Sequence, residues 1–83
     1  MLDKYQTLQT IYDLVKEDTH PTLLSLNPGA IILRQNFGWD VIVGHLNELK
    51  ADGLLKMQQF NTAIIHITTE GITQALRLRA HAA

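Results

Sequence analysis

Apolar positions along this chain change their spacing several times, and each change marks an element. Over residues 3–18, Tyr5, Leu8, Ile11, Tyr12 and Val15 fall on one face at helical spacing, with Gln6, Gln9, Asp13, Lys16 and Glu17 opposite. That pattern predicts a first helix over residues 3–18, with Asp3 suited to cap its N-terminus. Pro21 enforces the end, because the residue before a proline is pushed out of the α region. Residues 22–26 read as a short extended segment able to join a later hairpin as a one- or two-residue strand. Asn27-Pro28 pairs a capping side chain with proline at the first helical position, where its missing N–H costs nothing. The second helix is expected through Ile31, Ile32 and Leu33 to Gln35, with Asn36 as a left-handed C-cap. Phe37 is expected to plug the turn before a third helix at Trp39.

Ile42, Leu46 and Leu49 give that third helix its buried stripe, and Asp52-Gly53 ends it. Two helices separated by so few residues cross steeply, which is helix-turn-helix geometry over residues 27–52. The spacing then drops to two. With residues 60–62 as a loop, Gln59 opposes Ala63, Met57 opposes Ile65 and Leu55 opposes Ile67. Leu55, Met57, Ala63, Ile65 and Ile67 face the core, and Lys56, Gln58, Ile64 and His66 face out. A slip by one residue would bury Lys56, so this register is favoured. Thr68, three residues before Gly71, caps a last helix over residues 69–80 that turns Ile72, Ala75 and Leu76 inward and leaves Leu78 over.

Eighty-three residues, 46% of them hydrophobic, suffice for one domain over residues 1–83 with a modest core. No cysteine is present, which excludes disulfides, thiolate metal sites and thiol catalysis. No apolar run approaches the roughly 20 residues of a membrane span, and MLDKYQ is not a secretory leader, so a cytoplasmic protein is expected. His20, His45, His66 and His81 show no metal-ligand spacing; His45 reads as a half-buried packing residue. With no Ser-His-Asp spacing, phosphate loop or close carboxylate pair either, neither an enzyme, a metal nor a cofactor is expected. Net charge is −1, and by segment residues 1–26 sum to −2, residues 27–52 to −1 and residues 53–83 to +2. A basic excess, the usual mark of nucleic-acid binding, is therefore missing overall.

The segment LNELKADGLL followed by IHITTEGITQAL resembles winged helix-turn-helix regulators of the MarR-like and PadR-like kind. In those families a Leu-x-x-Leu-x-x-x-Gly-Leu helix end leads into the wing, and a Thr-x-x-Gly signature starts the next helix. Leu46, Leu49, Gly53 and Leu54 match the first, and Thr68 and Gly71 the second. The resemblance implies a mainly α (α+β) fold with a three-helix core, a short two- or three-stranded wing at residues 54–67 and a C-terminal helix. It implies a sequence-specific transcriptional regulator bound to palindromic double-stranded DNA as a homodimer. The long extra dimerisation helix of larger members is absent, so a dimer is expected through Leu8, Tyr12, Ile72 and Leu76.

On this reading the third helix presents Asp40, Val43, Gly44, Asn47 and Ala51 outward. Asn47 suits pairing with adenine, Val43 a thymine methyl and Asp40 the amino group of cytosine, while Gly44 permits close backbone approach. Arg34, Gln35, Lys50 and Lys56 are candidates for holding the DNA backbone, and Gln58 and Asn61 complete the set from the wing. Trp39, beside Phe37, is expected in the core. Phe60 at the wing tip either folds back on its hairpin or joins Ile64 in an apolar patch suited to a protein partner. The competing reading is a winged-helix protein-interaction module without DNA binding.

Overall fold

The computed structural model describes residues 3–59 and 63–82, and its elements follow the order that the apolar spacing predicts. The first helix, α1 (Asp3–Val15), buries Leu8, Ile11 and Val15. Asp3 stands inside its first turn, where the carboxylate complements the helix dipole, rather than ahead of it as a cap. α1 stops at Val15, short of the expected residue 18. Beyond it the Asp18 N–H donates to the Val15 carbonyl at 3.0 Å, and the Asp18 carboxylate accepts from the His20 N–H at 2.8 Å. These local bonds compete with the helical ladder and close the helix before Pro21 is reached. Pro21–Leu23 forms a 3-10 turn, and the extended segment narrows to Leu26, which exchanges both backbone hydrogen bonds with Ile65 at 2.8 and 2.9 Å.

Asn27 caps α2 (Pro28–Ile32), its side-chain oxygen accepting from the Ala30 N–H at 2.9 Å. α2 is also shorter than expected. The N–H groups of Arg34 and Gln35 donate to the carbonyls three residues back, Ile31 and Ile32, so the chain tightens where the helix was expected to continue. Asn36 is not left-handed: among the described residues no non-glycine has a positive φ.

In α3 (Trp39–Ala51), Ile42, Leu46 and Leu49 are buried as the spacing predicts. Its end is a Schellman motif. Gly53 takes φ +80°, its N–H donates to Lys50 at 3.0 Å, and the Leu54 N–H reaches back to Leu49 at 2.9 Å. β1 (Leu55–Gln59) and β2 (Ala63–Ile67) pair antiparallel in the predicted register, with Leu55 opposite Ile67, Met57 opposite Ile65 and Gln59 opposite Ala63. Leu55, Ile65 and Ile67 are buried and Lys56 and Gln58 exposed, as a period of two requires. The expected loop at residues 60–62, with Phe60 and Asn61, lies outside the described residues.

Thr68 joins the wing to α4 (Thr69–Ala82). Its hydroxyl accepts from the Gly71 N–H at 3.0 Å and donates to the Gly53 carbonyl at 2.8 Å. Thr-x-x-Gly thus has a physical meaning here, since a Cβ on Gly71 would stand 2.2 Å from the Leu54 carbonyl oxygen. This close approach sets the rotation of α4: Gly71 and Ala75 are buried, Ile72 and Leu78 are half-covered, and Leu76, expected inward, is 49% exposed. One cluster from α1, α2, α3, the wing and α4 makes the core. Its architecture is a mainly helical α+β winged helix, and among the described residues no helix is long and apolar enough to cross a membrane.

Candidate nucleic-acid interface

At about 100° per residue, α3 sorts its side chains into an inner face, two edges and an outer stripe. The inner face is Ile42, Leu46 and Leu49. Asp40, Gly44 and Asn47 form the outer stripe and are exposed. Roughly a quarter turn away, Trp39, Val43 and Lys50 lie on the edge that faces the wing. The opposite edge carries Val41, His45, Glu48 and Asp52 toward α1.

The α1 edge is closed by polar contacts. His45 is buried, more deeply than its sequence position suggested, with Nδ1 2.8 Å from the Thr7 hydroxyl and the ring edge-on to Phe37 at 5.1 Å. Thr7 is itself buried, although nothing in the apolar pattern marked it. Asp52 accepts a 2.8 Å hydrogen bond from the Lys4 ammonium. That bond, helped by the fields of Asp52 and Glu48, holds Lys4 above the usual lysine range.

The wing edge is open. A crevice of about 210 Å³ is lined by Asn47, Lys50, Met57, Gln58 and Ala63. It adjoins an apolar slot of about 280 Å³ lined by Pro28, Trp39, Val43, Leu46, Asn47, Met57 and Ala63. Asn47, Met57 and Ala63 line both, so the two make one groove between α3 and the wing. Val43, Asn47, Lys50 and Gln58 are thereby brought together.

Other candidates are dispersed. Lys56 is exposed on the far side of β1, bordering a separate crevice with Leu23 and Glu70, because successive strand residues point to opposite faces. Gln35 faces α1, where its amide donates to the Thr10 hydroxyl and, at 3.4 Å, to the Gln6 carbonyl, away from the groove. Arg34 is exposed in the turn between α2 and α3, and Asn61 lies outside the described residues. Ion pairs among the described residues engage Lys4, Lys16 and Arg79, and none engages Arg34, Lys50 or Lys56.

Trp39 reverses its expected place. It is 48% exposed, while Phe37 packs against the core and His45. Three residues before Ile42, Trp39 sits at the rim of the buried stripe. Its neighbour Phe37 packs on the other side of α3, against His45.

The expected dimer residues also separate. Leu8 is fully buried in the core and unavailable to a partner. Tyr12 lies under the Arg79 guanidinium, 4.9 Å from the ring centre, in a seam where Gln9 donates to the Ala75 carbonyl at 2.8 Å. Gln9, expected on the solvent face of α1, is thus covered by α4. Ile72 packs against the core, so Leu76 is the exposed apolar member of the four.

No protein-family model matches the sequence, and no curated protein does. Among solved structures the chain is similar to the type III plasmid segregation protein TubR, at a TM-score of 0.62 over 94% of this chain and 88% of that one. Identity between the two is 12%, so the likeness is one of fold, and it agrees with the winged-helix architecture assembled above.

Proposed function

We propose that this chain is a DNA-binding transcriptional regulator of the MarR-like or PadR-like kind, acting on double-stranded DNA as a homodimer at palindromic sites. The observation that carries the reading is the state of α3: an exposed outer stripe of Asp40, Gly44 and Asn47 beside an open groove that holds Lys50 and no carboxylate among the described residues. A helix so exposed, next to a wing, fits the major groove with its outer side chains against base edges. Arg34, Lys50 and Lys56, each without an ion pair among the described residues, supply backbone contacts. So few cations give weak, salt-sensitive binding per protomer. Two linked protomers raise affinity through effective concentration, with Leu76 at the edge of α4 offered to the second copy.

Sedimentation with mixed-sequence duplex at low and moderate salt tests this. The expected result is a dimer that binds at low salt, releases as salt rises and loses retention in the Asn47→Ala/Lys50→Ala variant. A protein that ignores DNA even at low salt is instead a protein-docking module. The likeness to a plasmid segregation protein favours a second process for the same face, segregation of DNA. Loss of plasmid retention on deletion, without a change in transcript levels, would favour it over regulation.

A further inference from the structure

We propose that the groove between α3 and the wing holds one sugar–phosphate strand of duplex DNA, with Trp39 as its apolar wall. This rests on the DNA-binding reading above and assigns a contact to a tryptophan that was expected in the core beside Phe37.

The groove has two chemistries in one continuous space. Its floor is apolar, made by Pro28, Trp39, Val43 and Met57, and its lip is polar, made by Asn47, Lys50 and Gln58. A deoxyribose–phosphate chain has the same division, an apolar sugar flank beside an anionic group at every nucleotide. The charge is complementary as well. Among the described residues no carboxylate lines either part of the groove. Of the three acids of α3 and its cap, Asp52 is paired with Lys4 and Glu48 lies on the same edge facing α1, while Asp40 belongs to the outer stripe.

Trp39 fits this role by position and chemistry. A half-exposed tryptophan offers a broad apolar face and an indole N–H able to donate to a phosphate oxygen. Lys50 meets the phosphate as a point charge. The α3 side chains then divide their work by stripe. Trp39 and Lys50, facing the wing, position the duplex, while Asp40, Gly44 and Asn47 on the outer stripe choose the bases. Val43 lies in the groove and touches the sugar rather than a thymine methyl.

Trp39 is the sole tryptophan, so its fluorescence reports on this contact directly. The wild-type protein is titrated with labelled mixed-sequence duplex at low salt. DNA anisotropy reads binding, and acrylamide quenching reads access to the indole. Saturation is expected to lower the quenching constant at least about twofold. Trp39→Ala should weaken binding about fivefold on every duplex alike, and Trp39→Phe should restore most of it. Asn47→Ala should instead change which duplexes are preferred.

Binding with quenching unchanged overturns the strand contact and leaves the DNA reading standing. The absence of any anisotropy change overturns both. If circular dichroism shows Trp39→Ala to be unfolded, wild-type quenching decides alone.

Discussion

The two edges of α3 belong to one helix and meet opposite fates. Toward α1, His45 is satisfied by Thr7, and Asp52 by Lys4. Toward the wing, Trp39, Val43 and Lys50 border an open groove, and Lys50 makes no ion pair among the described residues. The difference shows why net charge is a poor guide to this surface. Residues 27–52 sum to −1, but of the three acids of α3 and its cap one is paired with Lys4, Glu48 faces the same edge, and Asp40 alone stands on the outer stripe. A segment can be acidic in total and still present a groove whose only formal charge among the described residues is positive.

Between the two edges, Leu46 is buried in the core and also floors the groove. Leu46→Ala is therefore the most damaging change to test, with an expected loss of about 2–5 kcal/mol in denaturant unfolding. A loss well below that range would mean the groove collapses to fill the space. Thr7→Ala attacks the closed edge alone. It leaves the buried His45 Nδ1 without its partner, at an expected cost of about 1–3 kcal/mol, with DNA affinity of the folded protein preserved. Weakened DNA binding there would show that the two edges are coupled.

Lys50→Ala reverses that pattern: the midpoint of unfolding should hold while the slope of log affinity against log salt falls by about one. A changed melting temperature with an unchanged slope would move Lys50 from the interface to the scaffold. The smallest effect is expected from Lys4→Ala, because an exposed ion pair contributes little and the residue lies across the helix from the groove. If Lys4→Ala lowers DNA affinity as much as Lys50→Ala, the distinction between the edges fails.

How much of this was legible depends on how local the deciding interaction is. The hairpin register could be read from alternation because one error would bury Lys56, and the pairing of Leu55 with Ile67 follows. The end of α3 was legible in Asp52-Gly53, since the motif needs only a glycine that accepts φ +80°. The ends of α1 and α2 were less so. Asp18 and the carbonyls of Ile31 and Ile32 draw nearby N–H groups into tighter turns, and periodicity carries no record of that competition. Gln35 illustrates the same limit for the site. Nothing in the sequence around Gln35 shows that α1 engages its amide, because Gln6 and Thr10 lie far away along the chain.

By itself the sequence determined the element order, the buried stripes of α1 and α3, the strand pairing and the Thr68 cap. Each follows from the period of the backbone or from a side chain acting within a few residues. Only the tertiary structure decided which aromatic entered the core, how α4 is rotated and which edge of α3 stayed open. Phe37 packs against His45 while Trp39 stands at the groove toward the wing, Gly71 must lie against the Leu54 carbonyl, and Lys4 must cross from α1 to reach Asp52. Those outcomes rest on contacts between distant parts of the chain, where close packing fixes which side chains are covered and no local period records it.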